Sequence, residues 1–271
     1  MKIKIVAMLM AVLVLPCAFA GGGGEKSTGT SSYTIEVGGS TSVTPLMELF
    51  AAEYQKLKPH IKVNINGTGS GDGITNAGVT YQIGMSSRDL TPAEQGRGLR
   101  AEIVAIDGIA VIVNKNNAVS SLTIEQIRDI YTGAITDWSQ VGGARGAIAV
   151  VSREEGSGTR GAFEELVGFQ GKLRAGANES TSTGAIKAGI AQNPNAIGYI
   201  SLGSVDDTIK AISVGGIAAN TANVINGSYK IARPFIVLAG SNIHAESAAF
   251  IQWMLSSEGQ AIVRRSWIPV K

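Results

Sequence analysis

Tyr33-Thr34-Ile35-Glu36-Val37-Gly38-Gly39-Ser40-Thr41-Ser42-Val43-Thr44-Pro45 is the stretch that decides the fold. Tyr33, Ile35 and Val37 alternate with polar residues, the period of a half-buried strand. Gly38 to Ser42 is then a turn of small and hydroxyl residues. Thr44 and Pro45 open a helix, Thr44 as N-cap and Pro45 at the first helical position, where its missing N–H is no loss. Leu46, Leu49, Phe50, Tyr54 and Leu57 follow at helical spacing until Pro59. A chain that repeats this strand–turn–helix unit belongs to the α/β class.

The unit recurs. Residues 61–65 alternate, and Gly67-Thr68-Gly69-Ser70-Gly71-Asp72-Gly73 leads into a helix expected from Ile74. Residues 83–90 read as a buried strand ending in the polar turn Ser86-Ser87-Arg88-Asp89, and Thr91-Pro92-Ala93-Glu94 starts another helix. Residues 103–113 are a long apolar strand interrupted at Gly108, and 123–132 an amphipathic helix. The strand 147–151 runs into Ser152-Arg153-Glu154-Glu155-Gly156-Ser157-Gly158-Thr159-Arg160, followed by a helix with Phe163, Leu166 and Val167 on one face. A helix over 183–192, strands over 197–202 and 233–239, and a closing helix over 244–257 complete the pattern.

The N-terminus points outside the cytoplasm. Lys2 and Lys4 precede an apolar run of about 11 residues, too short for a bilayer core that needs roughly 20. Pro16 ends the run, and Ala18-Phe19-Ala20 forms a signal cleavage site before Gly21. Residues 1–20 therefore read as a signal peptide and 21–32 as a flexible Gly/Ser/Thr leader. Cys17, the only cysteine, leaves a second outcome open, a lipid anchor, although Pro16 stands where a lipoprotein signal wants a small residue. Cleavage after Ala20 is the favoured reading, giving a soluble chain without cysteine. Loss of Lys2 and Lys4 turns 23 basic against 21 acidic residues into 21 against 21. Nucleic-acid binding leaves a basic footprint, and this chain has none.

The turns carry the chemistry. Glycine lets backbone N–H groups turn toward a ligand, and the following helix start leaves donors and partial positive charge unsatisfied. Ser and Thr hydroxyls add donors without full charge. Such a pocket suits a tetrahedral oxyanion, and Arg153 adds a guanidinium able to chelate one. Plain helix capping is the competing reading for any single turn.

Other chemistries lack an agent. No Lys follows the glycine of Gly156-Ser157-Gly158, so it is not a Walker A loop. His60 and His244 have no metal-ligand spacing and read as solvated surface residues. Glu154 and Glu155 are adjacent and need not converge as an acid/base pair. Trp138, Trp253 and Trp267 read as core or hinge packing. No catalytic residue, metal or cofactor is expected.

The same turns, with Leu122-Thr123-Ile124-Glu125-Gln126-Ile127-Arg128-Asp129-Ile130-Tyr131-Thr132-Gly133, Ile135-Thr136-Asp137-Trp138 and Asn195-Ala196-Ile197-Gly198-Tyr199, closely resemble the phosphate-binding proteins of bacterial ABC phosphate importers. The resemblance covers nearly the whole mature chain, in order. It implies a two-lobed clamshell of the type II periplasmic-binding kind, holding inorganic phosphate between lobes and delivering it to a membrane permease. Crossings near 110–114 and 232–237 would give lobe one as 33–110 plus 232–271 and lobe two as 111–231, in a periplasmic, non-enzymatic monomer. By motif match, Thr41, Ser42, Ser70, Ser87, Arg153, Ser157, Gly158 and Thr159 are the expected phosphate ligands, with Ser40, Asp72, Arg88 and Asp89 as further candidates. Some members place at Ser87 a carboxylate that accepts the phosphate proton; Asp72 or Asp89 is left to supply it here. A receptor for sulfate, molybdate or tungstate, and a secreted phosphoryl-transfer enzyme, are the alternatives.

Overall fold

The computed structural model describes residues 32–270. The expected signal peptide, its cleavage site, Cys17 and nearly all of the leader lie outside the described residues. Strand and helix alternate: β1 (Tyr33–Gly39), α1 (Thr44–Leu57), β2 (Ile61–Gly67), α2 (Ser70–Asn76), β3 (Ile83–Ser86), α3 (Pro92–Gln95), β4 (Arg100–Asn114), β5 (Ser121–Leu122), α4 (Ile124–Thr132), β6 (Ala149–Arg153), α5 (Gly158–Val167), β7 (Asn178–Ser180), α6 (Thr183–Gln192), β8 (Ala196–Ser201), β9 (Ile209–Ala211), β10 (Ser213–Val214), α7 (Thr221–Ile225), β11 (Ala232–Ala239), α8 (Ala245–Met254) and α9 (Ser257–Val263). The class is α/β. No described helix is long and apolar enough to cross a membrane.

Strand pairing runs in the order β2-β1-β3-β11-β4-β8-β6-β7, with β9 also on β4. β1 is parallel to β2 and β3, and β6 is parallel to β7 and β8. Between these parallel groups stand β4 and β11, antiparallel to each other over Arg100–Gly108 and Ala232–Ala239. From Ile109 onward β4 pairs with β8 instead. One 15-residue strand thereby serves both ends of the sheet.

Two main cores flank this junction. One gathers Ile35, Val37, Phe50, Tyr54, Met85, Val104, Phe235 and Phe250. The other gathers Ile109, Val111, Tyr131, Trp138, Phe163 and Tyr199. Burying a large apolar side chain contributes about 1.5–3 kcal/mol, so each group is sizeable enough to hold its helices on its own strands.

Five local expectations are corrected. Thr44 is not the N-cap of α1; Val43 is, in αR conformation, because the Val43 and Thr44 amides both donate to the Ser40 carbonyl and already wind the chain. The helix expected from Ile74 begins at Ser70. Helix propensity disfavours Gly71 and Gly73, but close packing requires bareness: a Cβ on Gly73 would lie 2.7 Å from Gly39 Cα and 2.6 Å from the Met85 carbonyl oxygen. Gly108 does not interrupt β4; it makes room for Val224 and Leu202, which would stand 3.1 and 3.3 Å from a Cβ. Leu166 is exposed while Phe163 and Val167 are buried, since Leu166 lies about 60° outside the stripe those two define on a 3.6-residue turn. The closing helix breaks after Met254, where the Ser256 hydroxyl accepts from the Gly259 amide and caps a new helix.

Candidate anion-binding site

The chain leaves β1 for β2 on one side and reaches β3 on the other; it leaves β6 for β7 on one side and reaches β8 on the other. Strand order reverses at β1 and at β6, and a crevice opens outside the carboxyl ends of strands at such points. The turns after β1, β2, β3, β6 and β7 all leave from these ends, and four of them feed directly into a helix: α1, α2, α5 and α6.

Their hydroxyls converge. Ser40 Oγ donates to Ser87 Oγ at 2.8 Å, and Ser70 Oγ stands 3.3 Å from Ser87 Oγ. The Ser87 amide donates to Ser70 Oγ at 3.1 Å. Across the crevice, Ser42 Oγ is 2.8 Å from Thr159 Oγ1 and 3.0 Å from Thr183 Oγ1. The Gly71 amide donates to the Gly156 carbonyl at 3.0 Å. Ser40, Ser42, Ser70, Ser87, Ser157, Thr159 and Thr183 are all buried. Buried hydroxyls need partners, and here they find them chiefly in one another. Each can donate or accept, so the set can reorient as donors to an oxyanion.

Gly158 explains why a glycine stands among them. A Cβ there would meet Ser70 Oγ at 2.3 Å, Ser70 Cβ at 2.8 Å and Ser87 Oγ at 2.9 Å. Ser157 caps α5, its Oγ accepting from the Arg160 amide at 3.3 Å. The first turn of α5 thus faces the Ser70–Ser87 pair at backbone distance.

Arg153, 2 % exposed, is the last residue of β6. Glu154 holds it in a two-point pair, Nε to Oε2 and Nη2 to Oε1 both at 2.8 Å, and the Ser180 carbonyl accepts from Nε at 3.1 Å. Tyr199 anchors its backbone: the phenol oxygen accepts from the Arg153 amide at 3.2 Å and lies 2.8 Å from Ser152 Oγ. Burial pushes the Tyr199 hydroxyl up to about 12, so it stays protonated. Tyr199 itself stacks on Phe163 at 4.0 Å, tying the site to the second core.

Of the expected ligands, Ser40, Ser42, Ser70, Ser87, Gly158 and Thr159 meet at the crevice; Ser157 caps the helix that Gly158 opens, and the Arg153 guanidinium is held by Glu154 and the Ser180 and Thr181 carbonyls. Thr41 stands at the rim, its Oγ1 accepting from the Thr183 amide at 3.3 Å. Asp72 and Arg88 are engaged elsewhere. Asp72 accepts from Thr68, Asn76 and Tyr81 at 2.5, 2.7 and 2.9 Å. Arg88 makes a bidentate pair with Glu94, which draws that carboxyl down to about 2. Asp89 is exposed.

Three residues escaped the sequence reading. Thr183 follows Ser180-Thr181-Ser182 at the start of α6, the same Ser/Thr pattern before a helix, and that was the available signal. Arg233 and Asp107 form a fully buried ion pair, with Arg233 Nε and Nη2 at 3.3 and 3.1 Å from Asp107 Oδ2. Nothing in the local sequence marks them, since they are paired only by the register of β4 and β11. The two histidines both meet Glu246. His244 Nδ1 accepts from the Glu246 amide at 3.2 Å, and His60 Nε2 stands 3.5 Å from the Glu246 carboxylate.

Fold and site define a class: an α/β binding protein whose ligand crevice lies at strand ends between two cores joined by a pair of crossing strands. The family model described as PBP superfamily domain matches residues 24–258. The chain belongs to the PBP superfamily and, within it, to the PstS family of phosphate-binding proteins, as its resemblance in sequence implied. The phosphate-binding protein PstS of Bacillus subtilis is 30% identical over 247 residues, covering 85% of this chain and 81% of the relative. A crystal structure with bound phosphate, of a Clostridium perfringens protein assigned to phosphate ABC transport as its substrate-binding protein, is 46% identical, with TM-score 0.86 over 88% of this chain and 100% of that one. An ABC-type phosphate transport receptor from Vibrio cholerae is 37% identical, with TM-score 0.71 over 86% and 99%.

Proposed function

We propose that this chain is an exported receptor that captures inorganic phosphate and delivers it to the membrane permease of an ABC importer. The observation that carries the reading is the buried set of hydroxyls that converge at the crevice, on the turns that follow β1, β2, β3, β6 and β7. Hydroxyls and helix-start amides present many donors with little full charge, which suits a compact tetrahedral anion. Thr41, Ser42, Ser70, Ser87, Arg153, Ser157, Gly158 and Thr159 are the proposed ligands, and Ser40 and Thr183 complete the set. Lobe one spans 33–110 plus 232–271 and lobe two 111–231, with the strands around Asp107 as the joint. The chain works as a monomer. Export runs through residues 1–20, with cleavage after Ala20; the mass of the mature chain separates this from a lipid on Cys17.

Calorimetric titration of residues 21–271 with phosphate, sulfate and molybdate tests the reading. Phosphate binds with the highest affinity, and Arg153→Ala weakens it at least about 100-fold, as expected for loss of a buried charge-assisted contact. Tight uptake of sulfate or molybdate with no heat from phosphate would reassign the ligand. Unchanged affinity in Arg153→Ala would displace the site.

A further inference from the structure

The Asp107–Arg233 pair needs an explanation that stability does not supply. Both side chains are essentially without solvent contact, at 0% and 3% exposure. Removing two charges from water costs more than such a pair usually returns, and an apolar pair of similar volume is often as stable or more so. What an apolar pair could not supply is direction. Arg233 Nη1 donates to the Ser87 carbonyl at 3.1 Å while Nε and Nη2 hold Asp107. Asp107 Oδ1 in turn accepts from Ser201 Oγ at 2.8 Å, at the end of β8. A continuous polar path therefore runs from β8 through both crossing strands to the turn after β3.

Its far end is specific. Ser87 is gripped on both sides of its backbone, by Ser70 Oγ at the amide and by Arg233 at the carbonyl. That double grip leaves its hydroxyl aimed at Ser40 and Ser70. Only a planar fork serves a carboxylate and a carbonyl together; an ammonium on a flexible stem makes no such fixed pair of contacts.

We infer that Arg233, with Asp107 as counter-ion, is a positioning residue of the anion site: it holds the Ser87 hydroxyl in place from within the joint. The inference rests on the reading of this crevice as the oxyanion site. It predicts coupling. A residue that merely stabilised the fold would lower affinity by a factor independent of Ser87; a positioning residue makes the value of Ser87 conditional on itself.

A double-mutant cycle on the full mature chain, titrated with inorganic phosphate, decides the matter. Ser87→Ala and Arg233→Lys each weaken binding about tenfold, and together also about tenfold rather than about a hundredfold, because contacts in one network are not additive. The ligand-free melting temperature of Arg233→Lys stays within about 5 °C of wild type. Should Arg233→Lys fail to fold, the paired variant Asp107→Asn/Arg233→Gln removes both charges at once, and in it Ser87→Ala costs less than about threefold. If Ser87→Ala still costs its full tenfold in either background, Arg233 does not position it and the inference fails. A wild-type chain that binds no oxyanion overturns the functional reading instead, so the two failures are distinguishable.

Discussion

Gly158→Ala inserts one methyl group where turns from the two sides of the crevice meet. The new Cβ would lie 2.3 Å from Ser70 Oγ, 2.8 Å from Ser70 Cβ and 2.9 Å from Ser87 Oγ. Non-bonded heavy atoms rest roughly 3.5 Å or more apart, so the overlap reaches about 1 Å. Rotating Ser70 would clear its hydroxyl but not its Cβ. The two sides must separate instead, and a shift of about 1 Å carries the 2.8 and 3.0 Å contacts of Ser42 with Thr159 and Thr183 beyond hydrogen-bond distance. Losing about two hydrogen bonds to a charged ligand costs about 3–4 kcal/mol, a factor of several hundred in Kd, at about 1.4 kcal/mol per tenfold. The fold should not suffer. Gly158 is the first residue of α5, is not in the left-handed region, and alanine is the better helix former by about 1 kcal/mol. Phosphate titration paired with a ligand-free thermal melt separates these effects. Kd within about threefold of wild type, with the melt unchanged, would refute the argument that the first turn of α5 closes directly onto Ser70 and Ser87.

Two further outcomes follow from the same geometry. Thr183→Val keeps the shape of the α6 start but removes the hydroxyl that faces Ser42 and Thr41; phosphate titration should show a loss of about 5- to 20-fold, or about 1–2 kcal/mol, with no change in melting. Burial pushes the Asp107 carboxyl up to about 6, from an ordinary 3.8, despite Arg233 beside it. The folded state therefore holds that proton more tightly than the unfolded chain, and ionising Asp107 erodes stability as pH rises from about 4 to about 6. Urea unfolding across that window should show wild type losing about 1–3 kcal/mol relative to Asp107→Asn; parallel profiles would contradict it.

How far the molecule could be read from its residues depended on the distance over which each determinant acts. Local determinants were legible. The alternation of Tyr33, Ile35 and Val37 and the glycine–hydroxyl turns are written within a few residues of where they act, and they mark β1 and the crevice. Long-range determinants were not. Gly71 and Gly73 read as loop because propensity is local, whereas the contact of Gly73 with Gly39 and Met85 that makes α2 start at Ser70 comes from β1 and β3. Gly108 read as a break for the same reason. Asp72 and Arg88 looked available from their place beside the turns, yet Tyr81 and Glu94 engage them. Arg233 is opposite Asp107 only because β11 pairs with β4 in one register, a relation no window of sequence contains.

The two buried arginines near the crevice each have a carboxylate of their own, Glu154 for Arg153 and Asp107 for Arg233. The crevice therefore offers an incoming anion oriented dipoles, with no surplus of fixed charge around it. Attraction by net charge decays within about 10 Å at an ionic strength of 0.1 M and is weakened by every added salt. Donors aimed at a buried point act at contact, where bulk ions do not intervene. A crevice built this way is expected to hold an anion with nearly the same affinity in dilute and in saline surroundings.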